Sequence, residues 1–282
     1  MYRRCRPIVS FGESFPMPSS PQRPSGLSPE RPILLVAIAA PAEIRVVRAG
    51  LAARSEVQLG QLVLLPTGVG KSPAAARTAL AVRRYRPLYL LNVGVAGLLP
   101  PAQETAAEIA RTNIGDAVLA TASIFADEGL RTADGFIGCD EMGFPPVPGD
   151  GPHGGLAVPS DPHLAALLAP VADRTGPIAT VSACSGTDAN ARELADRTAA
   201  AAEAMEGAAV GLAARLASEP DPAAGDDGFP PPAFAELRVI SNTTGDRDRQ
   251  RWDLAGALDR LGAIAADAAS RILSNAPAGD TD

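Results

Sequence analysis

Glu206 stands in Glu203-Ala204-Met205-Glu206-Gly207-Ala208-Ala209-Val210, at the head of a run of small apolar residues. An ionised carboxylate is costly to bury there unless it is paired or hydrogen-bonded. A ligand with hydroxyl donors meets that need, because two carboxylate oxygens accept two hydroxyls side by side, a geometry that suits a vicinal diol such as a ribose. A solvent-facing helix residue fits the same position. A second acid, Glu43, follows the apolar run Ile33-Leu34-Leu35-Val36-Ala37-Ile38, just past the carboxyl end where open parallel sheets hold their ligands. It is a candidate general base, and its position also fits an ordinary first-turn glutamate favoured by the helix dipole. A third polar group, Ser241-Asn242, follows Leu237-Arg238-Val239-Ile240, with Asp246, Arg247, Asp248 and Arg249 behind it. Those last charges also read as a solvated turn.

The elements that would position these groups alternate between strand and helix. The first apolar run, bounded by Pro32 and Pro41, reads as a buried parallel strand, and Ile44, Val46, Val47 and Leu51 mark the helix after it. Val63-Leu64-Leu65-Pro66 leads into Thr67-Gly68-Val69-Gly70-Lys71-Ser72 and an Ala-rich helix to about Arg84. A nucleotide P-loop fails here on count, since the motif needs glycine where Leu65 stands. What remains is a glycine turn whose N–H groups face an anion, a polar ligand or water. A third strand, Leu88 onward, runs into Asn92-Val93-Gly94-Val95-Ala96-Gly97, where small residues admit either a flat ligand or tight packing. A strand over Ile114–Ala120 enters a long irregular segment, 121–162, rich in Gly and Pro. The next strand is expected over Ala179–Cys184, followed by Ser185-Gly186-Thr187 and a helix from about Asn190 to Thr198. Propensity would continue that helix to Leu216, whereas the diol reading needs a break near Met205. Residues 217–235 read as a flexible acidic Pro/Gly insertion. Leu237–Ile240 is the last strand, and Trp252-Asp253 opens a closing helix with Leu254, Leu258, Leu261, Ile264 and Ile272 on one apolar face. The expected fold is a single α/β domain over residues 31–275, with a mixed or mainly parallel sheet flanked by helices. Residues 1–30 read as a disordered extension and 276–282 as a tail.

Composition excludes several classes. The chain has 282 residues and a formal charge of -7, which argues against a nucleic-acid partner. Cys5, Cys139 and Cys184 are odd in number and far apart, as expected of reduced thiols in a cytoplasmic protein. With only His153 and His163, a multi-histidine metal site is not expected, and support for a Ser-His-Asp triad is weak. A signal peptide competes for the first apolar run, but the basic leader is too long and the apolar core marginal. No stretch reaches transmembrane length.

An acid after the first strand, a Met-Glu pair in the third quarter and a Ser-Asn after the last strand, in that order, resemble the purine nucleoside phosphorylase and nucleosidase superfamily. The closest likeness is to the futalosine hydrolase family, relatives of methylthioadenosine/S-adenosylhomocysteine nucleosidase. It covers roughly residues 33–273 and rests on the Gly68 and Gly94 loops, Asp127-Glu128-Gly129, Thr180-Val181-Ser182 with Ser185-Gly186-Thr187, the Glu203–Ala209 stretch, and Ile240-Ser241-Asn242 with Arg247-Asp248 and Trp252. The resemblance implies that Glu43 activates water, Glu206 grips the ribose hydroxyls and Met205 packs on the sugar. Gly68, Val69, Gly70, Val95, Ala96, Gly97, Ser241, Asp246 and Asp248 would line the nucleoside. Asn242 departs from the Asp of methylthioadenosine nucleosidases; an amide donates to the 6-oxygen of hypoxanthine and delivers a proton poorly, leaving Asp246, Asp248 or water as donor. Neither cofactor nor metal is implied, and a homodimer or larger homo-oligomer is. A methylthioadenosine nucleosidase, a purine nucleoside phosphorylase and a non-catalytic nucleoside-binding protein remain the alternatives. The phosphorylase needs a phosphate pocket, for which Lys71 is the only cation in the glycine loops.

Overall fold

Strands β1 (Leu34–Ile38), β2 (Leu62–Pro66) and β3 (Tyr89–Leu98) pair in parallel, with β1 between the other two. They belong to a computed structural model that describes residues 34–54, 61–102, 111–147 and 155–276. The expected extension over residues 1–30, the tail beyond residue 276, Cys5 and His153 lie outside the described residues. Helix α1 (Pro41–Ala52) starts on Pro41, whose fixed φ and missing N–H suit a first turn. Helix α2 (Lys71–Tyr85) follows β2 through a turn in which Gly68 and Gly70 adopt φ of 78° and 98°, values that side chains other than glycine rarely take.

The later elements close the sheet on itself. These are β4 (Ala117–Phe125), the hairpin β5 (Gly129–Arg131) and β6 (Phe136–Gly138), β7 (Ala157–Pro159), α3 (Pro162–Leu168), β8 (Arg174–Thr180), α4 (Asp188–Thr198), β9 (Ala202–Ala204), α5 (Gly207–Ser218), β10 (Ala233–Thr243) and α6 (Leu254–Ser274). β3 pairs β10 along one edge; on the other it pairs β1 and then, beyond the end of β1, β9. β10 pairs β4, β4 pairs β8, and β8 pairs β9, so five strands form a ring from which β1, β2 and β7 extend. The sheet is mixed: β10–β4, β3–β9 and β4–β7 are antiparallel. Alternation along β1 divides the core. Leu34, Val36 and Ile38 pack with Val47, Leu51, Leu261, Ile264 and Ile272, whereas Leu35 and Ala37 pack with Ala74, Val82, Val210 and Ala214.

Several expectations need correction. The strand expected over Ala179–Cys184 lies at Arg174–Thr180 instead. Gly176 and Pro177 concealed it; Pro177 falls where the β4–β8 register shifts, so its missing N–H breaks no ladder. The strand expected from Ile114 begins at Ala117 and runs on to Phe125, and the segment 121–162 thus holds the end of β4, a hairpin, β7 and the first residue of α3. The insertion expected over 217–235 loses both ends, since α5 continues to Ser218 and β10 begins at Ala233. Between them Asp226 pairs with Arg83 and Arg86, and Phe229 N–H donates to Ser218 O. Leu254, expected on the apolar face of the closing helix, is 43% exposed, one residue past the Asp253 cap that accepts from Gly256 N–H.

Candidate active site

Glu43 occupies the third position of α1, and its two oxygens do different things. Oε2 accepts from Ala40 N–H at 2.9 Å, which caps its own helix; Oε1 accepts from Val95 N–H at 2.9 Å, which ties the helix to the glycine-rich end of β3, where the expected loop over 94–97 is strand. One side chain therefore both caps its own first turn and reaches the backbone of β3. Parallel pairing of Ile38 with Val93 brings them together. Gly94 is required by close approach: a Cβ there would stand 2.5 Å from Arg238 Nη1 and 2.8 Å from Glu43 Oε1.

Glu206 is held at the junction of β9 and α5. The long Ala-rich helix breaks where the sugar reading needs it to break: α4 ends in Ala199 with φ 49°, β9 fills the gap between β8 and β3, and helix resumes at Gly207. Ring closure by three residues of β9 overrides the helix propensity of the alanines. Glu206 Oε1 accepts from Gly70 N–H at 3.0 Å, and Oε2 accepts from Arg238 Nη2 at 3.3 Å. Gly70 and Glu206, 136 residues apart, thus meet at one edge of the site.

Arg238 is the group that sequence reasoning missed. It is 1% exposed and donates through Nε to Glu236 Oε1 at 2.7 Å and through Nη2 to Asn92 Oδ1 at 2.6 Å. Asn92 is oriented by donating to Ala37 O at 3.1 Å. The signal was legible: Glu236 and Arg238, two apart in an apolar strand, point to one face, and buried charges occur paired. Three carboxylates, Glu43, Glu206 and Glu236, thus lie around one guanidinium. Burial opposes the arginine's charge, yet Glu236, Glu206 and Glu43 more than offset that and raise its pKa. Burial raises the pKa of Glu43 against the lowering effects of Arg238 and the Val95 and Ala40 N–H groups, with Glu206 adding to the rise.

A second polar group lies beyond Gly97. A bulge in β10 between Ile240 and Asn242 sets Asn242 opposite Gly97. Ser241 Oγ donates to Asn242 Oδ1 at 2.8 Å, and Asn242 Nδ2 donates to Thr243 O at 3.0 Å. Across Gly97, Asn242 Nδ2 and Glu203 Cγ both lie within 3.5 Å of where a Cβ would stand. Glu203 accepts from Ser185 N–H and Oγ, and burial raises its pKa. Ala96 is buried, Val95 and Met205 half-buried, and Gly68 backs onto Arg77, which donates to Thr67 O. Val69 is 55% exposed.

Asp246 does not stand free as a proton donor. Its carboxylate accepts from Asp188 N–H and Arg249, and those donors hold it below the usual carboxylate range. Asp248 is exposed on the same turn. Lys71, expected to be the one cation available to the glycine loops, is paired with Asp127 and Glu128, and arginines do reach both loops from elsewhere, Arg77 at Gly68 and Arg238 at Gly94. Among the described residues no cluster of three or more His, Cys, Asp or Glu is arranged as a metal site, and no helix is long and apolar enough to cross a membrane.

Residues 28–276 match the model of the phosphorylase superfamily. Among curated proteins, the chain is 36% identical over 207 residues to a futalosine hydrolase of Acidothermus cellulolyticus, covering 70% of this chain and 71% of that protein. It is 33% identical to a futalosine hydrolase of Streptomyces coelicolor, covering 70% and 74%. The fold is shared with a 5'-methylthioadenosine/S-adenosylhomocysteine nucleosidase from Neisseria meningitidis, at TM-score 0.60 and 20% identity over 86% of this chain and 99% of that one. The futalosine hydrolase of Helicobacter pylori shares it too, at TM-score 0.60 and 17% identity over 86% and 97%.

Proposed function

This chain belongs to the phosphorylase superfamily, and from that premise we propose that it hydrolyses the N-glycosidic bond of futalosine in menaquinone biosynthesis, releasing hypoxanthine and leaving dehypoxanthine futalosine. The observation that carries the proposal is the meeting of two buried carboxylates, Glu43 and Glu206, around Gly94 and Arg238. Their partners differ: backbone N–H groups alone for Glu43, a backbone N–H and the Arg238 guanidinium for Glu206. Glu43, with its proton affinity raised by burial, takes the proton of a water held over Gly94 as that water attacks the anomeric carbon. Each oxygen of Glu206 accepts one protein hydrogen bond and keeps a lone pair for a ribose hydroxyl. Fixing the sugar this way orients it against the water while the transition state gathers oxocarbenium character.

The departing base is assigned to the Asn242 end. One Nδ2 hydrogen is used by Thr243 O, and the other is left for the 6-oxygen or N7 of hypoxanthine. Asp248 or a water supplies the proton. Gly68, Val69, Gly70, Val95, Ala96, Gly97, Met205 and Ser241 line the nucleoside in this reading. Pairing supports hydrolysis over phosphorolysis: Lys71 is neutralised by two acids, Arg77 is bonded to a carbonyl, and Arg238 is surrounded by carboxylates, which leaves these cations poorly placed to hold phosphate. The reading also places the enzyme in the cytoplasm as a homodimer or larger homo-oligomer. An apolar face shared by α2 and α5, with Leu80 and Leu216 exposed, supports the assembly.

The test incubates the purified protein with futalosine, methylthioadenosine and inosine, with and without phosphate, and follows free base by chromatography. Hypoxanthine from futalosine without phosphate is expected. Adenine from methylthioadenosine, or a phosphate requirement, would replace the proposal with the nucleosidase or the phosphorylase, and no free base from any of them would leave a binding protein.

A further inference from the structure

Glu236 is 0% exposed and has no place in the hydrolytic steps above, yet the fold makes special room for it. Its Oε1 accepts from Arg238 Nε at 2.7 Å and its Oε2 accepts from Ser123 Oγ, itself fully buried on β4. A Cβ on residue 207 would stand 1.9 Å from Oε2, so only glycine after Glu206 admits this carboxylate beneath the turn. Arg238 is thereby fixed by three acceptors, Glu236 at Nε and both Asn92 and Glu206 at Nη2. Its Nη1 faces Gly94 on the side of Glu43, but among the described residues no Arg238–Glu43 ion pair forms within 4 Å beside the pairs to Glu206 and Glu236.

We propose that Glu236 is a positioning residue for the hydrolysis: by holding Nε it keeps Nη2 on Asn92 and Glu206, so that Nη1, although on the Glu43 side of Gly94, closes no ion pair with Glu43 and leaves that acid able to take the proton of water. The inference rests on the reading of Glu43 as the base. The groups facing Glu43 are Arg238 and Glu206 with the Val95 and Ala40 N–H groups; those facing Glu206 include Gly70 N–H, Arg238 and, at longer range, Cys184. Without the charge of Glu236, Arg238 has only Glu206 and Glu43 as carboxylate partners, and attraction to Glu43 lowers that acid's proton affinity. A weaker base transfers the proton less effectively.

The experiment compares wild type, Glu236→Gln and Ser123→Ala. The pKa of Glu43 is read in the free enzyme by carboxyl ¹³C NMR, with Glu43→Gln identifying its signal, and the acid limb of kcat/KM for futalosine is measured alongside. Glu236→Gln keeps the shape and removes the charge; the Glu43 titration and the acid limb are expected to move to lower pH by about one unit, with plateau kcat down roughly tenfold and KM little changed. Ser123→Ala frees the Oε2 end of Glu236, so the carboxylate holds Arg238 Nε less firmly and a smaller shift of the same sign is expected. A folded Glu236→Gln protein whose Glu43 titrates at the wild-type pH overturns the proposal. If that variant does not fold, Ser123→Ala decides on the same readout. The NMR titration needs no substrate: absence of hypoxanthine release by wild type would count against the function, and an unmoved Glu43 titration against Glu236.

Discussion

Two clusters in this protein gather carboxylates around one arginine, and they end in opposite states. Arg249 on the turn after β10 takes Asp188 and Asp246 in the open, where the two acids also accept each other's backbone N–H groups. Arg238 takes Glu206 and Glu236 in the interior, with Glu43 facing it. In the first cluster every donor favours the charged form, and Asp246 is held below its ordinary pKa. In the second, three buried acids lie around one guanidinium, two of them paired with it, and burial pushes Glu43 up. Pairing at the surface makes a cap that water screens, whereas in the interior burial raises the proton affinity of the one acid that closes no ion pair with the arginine, with Glu206 adding to the rise. The charged turn and the buried cluster are built from the same residue types; burial alone separates a fastening from a candidate base.

The largest effect expected inside is from Glu43→Gln and Glu206→Gln, each lowering kcat/KM for futalosine hydrolysis by at least about 100-fold while circular dichroism shows the fold retained. Near-normal turnover in either would remove that residue from the mechanism. In the proposed mechanism Glu43 acts deprotonated, and with its pKa raised by burial the wild-type rate should climb with pH through a midpoint above the 4.5 of an ordinary glutamate. Next comes Gly94→Ala, whose methyl would enter the space between Arg238 and Glu43; a loss of about 1–3 kcal/mol in stability from overpacking, with a larger proportional loss of activity, would show that the gap itself matters, and an unimpaired enzyme would show that it does not. Asn242→Asp is expected to move base preference toward adenine nucleosides, read as the ratio of kcat/KM for the two substrates, and an unchanged ratio contradicts the amide argument. The smallest effect is outside. Asp246→Asn should leave hydrolysis unchanged and lower stability only outside the acid range: a depressed folded pKa contributes stability that is present above the unfolded value and lost as pH falls through the folded one, so the melting temperature of the variant should lie below that of wild type at neutral pH and the two should converge in acid. A large loss of activity in Asp246→Asn would erase the contrast between the two clusters.

Much of this was legible in the chain. β1 and β3 announce themselves as continuous apolar runs because both their faces are buried, and the Pro41 start of α1 places Glu43 within the first turn. Glu206 was legible as an acid with no obvious water. β8 was misplaced because Gly176 and Pro177 argue against a strand unless a register shift in a neighbour absorbs them. Arg238 went unassigned because a strand arginine read alone is an edge or surface residue. Its partners Asn92 and Ser123 lie 146 and 115 positions away, the latter through Glu236, and no local pattern links them.

The sequence determined the local events, since those depend on residues within a few positions: which runs are apolar on both faces, where Gly68 and Gly70 permit positive φ, and that acids follow the first strand and precede α5. Tertiary structure alone decided the proton balance. That balance depends first on burial and then on the charges and N–H groups gathered around each acid, and the folded sheet with α1 brings Glu43, Asn92, Ser123, Glu206, Glu236 and Arg238 together in the interior. Coulombic attraction and desolvation act through space, so the chemistry of Glu43 is set by neighbours that its own segment does not contain.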